Sequence, residues 1–273
     1  MSDEKNPYLG PSGETELRHS VVAFVDILGF KELATKACDR AMATDLLSRL
    51  RRALRQSLDQ LRYYERPNAP GSDIYRVRIF TDNIVIAHPI FEDAEMEFGL
   101  LFTQLAIFQA LMATHGFFVR GGVAIGEVTI DEDLVFGPGL VKAYEAESTS
   151  ARDPRIVLSD EAADAVRGHT RYYGSASESP QASEYLIDAD GQLFVNYLHA
   201  ALLDGASRFD IVAKHKNAVQ DQLRLMRSRP PLWSKYAWAA TYHNFFCAQH
   251  QNELPEGLMI DMNEFTLSPQ RIG

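Results

Sequence analysis

The chain has 273 residues, 46% of them hydrophobic and 23% charged, with a net charge of -10 and a pI of about 5.3. That balance fits a soluble globular protein and excludes a general nucleic-acid binder, whose phosphate contacts need clustered Lys and Arg. A small anionic substrate held locally by metal ions stays compatible with it. The two cysteines, Cys38 and Cys247, lack metal-ligand spacing and indicate a reduced, cytoplasmic setting.

Residues 1–20 are polar, carry Pro and Gly, and have no signal-peptide core; they read as a flexible arm. Residues 21–28, within VVAFVDILGF, read as a strand broken by one acid, Asp26. A buried, unpaired carboxylate costs several kcal/mol, so Asp26 either faces water or has a positive partner. Residues 31 to about 64 read as helical, with Leu46, Leu47, Leu50, Leu54, Leu58 and Leu61 near helical spacing, and RPNAPGSD (66–73) as a loop. IYRVRIF and IVIAH flank TDN and predict a hairpin with Thr81, Asp82 and Asn83 at its tip.

The apolar stretch 98–118 is long enough to cross a membrane. Thr103, Gln104, Gln109 and His115 interrupt it, and a buried helix under a sheet is the preferred reading. FFVRGGVAIGEVTI predicts a long strand whose glycines imply a bend or a close backbone approach. A short helix after GPG, the strand RIVLS, a helix capped by Ser159 and a hairpin turning at Asp190-Gly191 follow. Two long helices are expected from residue 205 on.

The order strand, helix, hairpin, helix, strand predicts an α+β, ferredoxin-like split βαβ core. It has an antiparallel sheet with helices on one face. Residues 21–204 form the expected main domain and 205–273 a helical appendage. In this topology the first strand lies beside the hairpin, so Asp26 and Asp82 can meet although 56 positions separate them. Paired carboxylates repel unless divalent cations neutralise them, which points to a two-metal arrangement. The plainer alternative is that Asp26 caps the next helix and Asp82 only makes the turn. Trp233, Trp238, Tyr242, His243 and His250 are read as packing residues, and the arginines at 49, 51, 52 and 55 as a solvated helix face.

With those residues in view, the sequence resembles the class III nucleotidyl cyclases. VVAFVDILGFKEL is similar to their first metal motif, RIFTDNIVIA to the second, VRGGVAIGEV to their R-x-G-x-x-x-G strand, and FGPGLVKAYEAES to their substrate-contacting helix. The resemblance spans residues 21–198 and implies that the main domain, 21–204, is catalytic. It implies metal ligation by Asp26, Asp82 and the Ile27 carbonyl, two Mn²⁺ or Mg²⁺ ions, phosphate contact at Gly29 and Phe30, and a homodimer with two equivalent sites.

The departures carry information too. The positions that read adenine in adenylate cyclases hold Arg78 and Pro138, and those of the transition-state Asn and Arg fall near Val141 and Glu145. Lys142 and Arg120 are the candidate substitutes. Thr81 stands where a glycine is usual. This combination, with KYAWAATYHN (235–244), resembles most the pyrimidine cyclases of bacterial Pycsar anti-phage systems. It implies conversion of UTP, or alternatively CTP, to a 3′,5′-cyclic monophosphate read by a separate effector protein, without nucleic-acid or membrane partners. Arg78, which only donates hydrogen bonds, would suit O4 of uracil. A purine cyclase and a catalytically silent nucleotide-binding domain are the rival expectations.

Overall fold

The computed structural model describes residues 6–36, 40–61, 74–203 and 208–265. Cys38, the 66–73 loop and the end of the chain lie outside them. The first strand, β1 (Arg18–Ile27), is followed by α1 (Phe30–Lys36) and α2 (Arg40–Leu61), then the hairpin β2 (Arg76–Phe80) and β3 (Asn83–Pro89). Next come α3 (Glu95–Thr114), β4 (Val119–Ile130), the short β5 (Val135–Phe136), α4 (Pro138–Ser150), β6 (Ile156–Leu158) and α5 (Asp160–His169). The hairpin β7 (Tyr185–Ile187) and β8 (Leu193–Val195) precedes α6 (Ala200–Leu203), α7 (Arg208–Leu225) and α8 (Pro230–Gln249).

The described strands form one sheet in the order β2-β3-β1-β4-β6-β8-β7, with β5 paired to β4. The first four are antiparallel throughout, in the order expected of a split βαβ core. The expected all-antiparallel sheet is corrected at one place: β6 joins β4 in parallel. Helix α4 crosses over between β4 and β6, and a crossover connection is what parallel neighbours require.

Strand alternation divides β1 between two cores. Val21, Ala23, Val25 and Ile27 face α3 and share a cluster with Phe98, Leu101, Phe102 and Leu105. Val22 faces the opposite side, in a cluster with Val85, Ala124 and Ala143 of α4, and Phe24 packs against that cluster. Helices therefore cover both faces, not one. Gly122 on β4 makes this possible: a Cβ there would overlap the Ala143 carbonyl oxygen and come within 2.6 Å of the Glu147 nitrogen. The glycines of β4 thus mark a close approach of α4 to the strand, one of the two options the sequence left open.

Helix α3 is long and apolar enough to span a membrane by length and composition, but 67% of that stretch is buried against sheet and helices. Residues 6–10 of the expected flexible arm are packed against the fold, while residues 11–17 are exposed. Tyr8 is fully buried with its hydroxyl 3.1 Å from Ser20 Oγ, and the Asn6 amide donates to the Ile130 carbonyl at 2.8 Å. Helices α7 and α8 also join the main core, through Val212, Tyr242 and Phe246.

Candidate active site

Asp26 sits one residue before the end of β1, cross-strand from Asn83 on one side and Arg120 on the other. Asp82 occupies the two-residue turn between β2 and β3, and its carbonyl accepts from the Ile27 N–H at 3.3 Å. The two aspartates thus meet, and their carboxyl groups are close enough to interact directly. Arg120 Nε lies 3.4 Å from Asp26 Oδ2 and 2.7 Å from Glu147 Oε1 on α4. Two carboxylates, Asp26 and Glu147, contact one guanidinium, and Asp82 beside Asp26 adds a third acid, so the acids here outnumber the arginine.

Burial, more than the charge balance, sets the protonation of the site. Burial pushes the Asp26 carboxyl up to about 6; Arg120 opposes the shift and Asp82 adds to it. Glu147, whose side chain is 3% exposed, is also shifted upward by burial against the pull of Arg120. Sequence reasoning did not single out Glu147. A signal was present: the buried side of α4 is Gly139, Ala143, Ala146 and Glu147, so one acid lies in a stripe of small residues and requires a cation.

The turn holding Asp82 is strained. Thr81 has φ of 55°, the left-handed region that a β-branched residue rarely enters, where a glycine would be relaxed. Its hydroxyl offsets part of that cost, lying 2.6 Å from the Phe80 carbonyl and 2.7 Å from Asp82 Oδ1. The contact also orients the carboxylate. Gly29, at φ 76°, makes the sharp turn out of β1, and Phe30 opens α1 with its ring partly buried against the main core.

The other expected site residues are dispersed. Arg78 is on the same face of the sheet as Asp26, but its guanidinium donates to the Asp131 and Val77 carbonyls. Lys142 projects from α4 to Glu161, 2.6 Å away, and to the Ile125 carbonyl. Ile125 is five residues along β4 from Arg120, roughly 17 Å of strand, so Lys142 does not reach Asp26 of its own chain. Val141 and Tyr144 are exposed on α4, Tyr144 edge-on to Phe24 at 5.5 Å, and Glu145 is exposed beside them.

The donor set fits a hard divalent cation. Asp26, Asp82 and the Ile27 carbonyl offer oxygen only, and the uncompensated charge at the mouth is negative. Among the described residues no group of three or more His, Cys, Asp or Glu suits a metal. A site with two carboxylates suits an ion that takes its remaining ligands from water and substrate phosphates.

No family model and no curated protein matches the sequence. Among solved structures, the guanylyl cyclase Cya2 superposes over 55% of this chain and 79% of its own, at 14% identity and a TM-score of 0.38. A class III adenylyl cyclase-like ATP-binding protein from Pseudomonas aeruginosa covers 81% of this chain at 14% identity and a TM-score of 0.42. This chain spans 46% of that protein's length. Overlap of this extent leaves the assignment to the residues themselves.

Proposed function

We propose that the protein is a nucleotidyl cyclase that converts a nucleoside triphosphate, UTP in preference to CTP, to its 3′,5′-cyclic monophosphate and pyrophosphate. The observation that carries the reading is the meeting of Asp26 and Asp82 at the mouth of the sheet beside an excess of negative charge. Asp26, Asp82 and the Ile27 carbonyl are the groups that would hold Mn²⁺ or Mg²⁺. Such ions would ease ionisation of the ribose 3′-hydroxyl and offset the charge on the phosphates.

The reaction forms the bond from O3′ to the α-phosphorus and breaks the bond from that phosphorus to the bridging oxygen; the hydroxyl proton goes to solvent. The chain's own contribution is placement and charge. Thr81 fixes the Asp82 carboxylate. Glu147 holds Arg120 at the shorter of its two contacts and so keeps it from closing fully on Asp26. Gly29 and Phe30 turn the backbone where a phosphate would pass.

Arg78 is the proposed base reader. It lies on the same face as Asp26, and a donor-only side chain suits O4 of uracil while opposing the amino group of cytosine. Reaching the base requires it to exchange the Asp131 carbonyl for substrate. A homodimer completes the site in this reading. Phe80, Val141 and Tyr144 are exposed apolar side chains on the face carrying Asp26, and Lys142 could approach a nucleotide only in a second copy. The cyclic product would be read by a separate effector protein, in keeping with the anti-phage systems that the sequence resembles.

The test is a product assay. Purified protein is incubated with ATP, GTP, CTP and UTP separately, with Mn²⁺, and products are identified by mass spectrometry. Cyclic UMP as the main product is expected. A cyclic purine would discard the role given to Arg78. The absence of product from all four would favour a nucleotide-binding domain without turnover.

A further inference from the structure

The C-terminal helices do more than thicken the core, because α8 reaches the mouth of the sheet. Tyr236 packs edge-on against Phe118 at 5.3 Å, and Phe118 accepts from the Leu28 N–H at 2.8 Å, two residues beyond Asp26. Two residues further, the Trp238 indole donates to Asp188 at 2.7 Å, and Asp188 is also bound by the buried Arg155. Both anchors lie within the turn that follows Lys235. Lys235 itself is half-buried, and its charged neighbours are Arg120, Asp153, Glu147 and Asp26. Among the described residues it makes no ion pair or hydrogen bond.

A lysine held this way is unusual. It gives up hydration, which disfavours its charge, and the nearby guanidinium of Arg120 disfavours it further; the acids around it return only part of that. A half-buried ammonium left without a direct partner, beside a carboxylate pair suited to cations, is arranged to receive an anion from outside the chain.

We propose that Lys235 is a phosphate-binding residue, supplied by α8 of the same chain, that holds the polyphosphate of a nucleotide at the Asp26–Asp82 mouth. This rests on the cyclase reading for the nucleotide but not for the anion. It makes the C-terminal helices part of the site.

The experiment is calorimetric titration of the full chain with inorganic tripolyphosphate, pyrophosphate and uridine, with Mg²⁺ present. Lys235→Met keeps the aliphatic stem and should weaken both anions roughly tenfold, leaving uridine and the thermal midpoint unchanged. Lys235→Arg should restore most of the affinity. Should Lys235→Met fail to fold, protection of Lys235 from acylation by tripolyphosphate in the unaltered chain, read by peptide mass spectrometry, gives the same answer; no protection overturns the proposal. Unchanged anion affinity in a folded Lys235→Met overturns it as well, and leaves the cyclase reading standing if cyclic product still forms. Conversely, a chain that cyclises no triphosphate but binds tripolyphosphate through Lys235 retains this subsite and loses the cyclase reading.

Discussion

The mouth of the sheet and the seam between α7 and α8 both bury polar groups, but they balance them differently. In the seam the bonding closes on itself. The Leu258 carbonyl can only accept, so His243 Nε2, 2.9 Å away, carries the proton. His243 Nδ1 is then the acceptor for His215 Nδ1 at 3.0 Å, and His215 Nε2 accepts from the Tyr197 hydroxyl at 2.7 Å. Tyr242 donates to Asn196 and receives the Leu198 N–H. Burial lowers both histidines, His243 to about 4, so the network is neutral at physiological pH. At the mouth, by contrast, Asp26 and Glu147 share one arginine with Asp82 close by, and burial raises the Asp26 carboxyl. A satisfied neutral network specifies packing; an under-compensated charged one leaves work for a ligand.

Variants can separate the two. The largest effect is expected at the mouth: Asp26→Ala or Asp82→Ala should lower cyclic-nucleotide formation by at least about a thousandfold, with a thermal midpoint no lower than that of the parent. Turnover retained in both would remove the aspartates from the chemistry. In the seam the effect should fall on stability instead. Tyr197→Phe leaves His215 Nε2 without its donor and should cost about 1–3 kcal/mol in denaturant unfolding, with the apparent KM unchanged. If the KM moved with stability, the seam would be coupled to the site.

Acid–base behaviour sharpens the contrast. Because the folded-state value of Asp26 lies above its unfolded one of 3.8, the folded state binds the proton more tightly. Metal-free protein should therefore lose stability as pH rises from about 4 to about 6, by roughly 1–3 kcal/mol. Asp26→Asn should flatten that part of the profile, whereas a slope unchanged in the variant would assign it to other groups. The smallest effect is expected from Arg78→Ala: up to about a tenfold rise in KM or a loosened choice between UTP and CTP. An identical substrate profile would take Arg78 out of the pocket.

Much of the arrangement was legible in the sequence because it depends on local chemistry. The apolar run around Asp26, the TDN turn and the order of elements were enough to place β4, β1, β3 and β2 and to bring the two aspartates together. The roles of Glu147 and Lys235 were not read from the sequence. Each lies in a helix that the sequence singled out without singling out the residue, and each acquires meaning only from a partner on another element: Arg120 for Glu147, and the mouth of the sheet for Lys235. The packed segment from Asn6 was missed for a similar reason. Its polar composition signals exposure, while Tyr8 finds its partners on the sheet, Ser20 among them.

By itself, then, the sequence determined the periodicities, the turn chemistry and the acid in an apolar strand, since backbone preference and the cost of burying charge act within a few residues. Only the tertiary structure decided which face α4 covers, that β6 runs parallel to β4, how Arg120 divides itself between Asp26 and Glu147, and that α8 brings a lysine to the same mouth. Those outcomes depend on which surfaces meet, and no local preference encodes such a meeting.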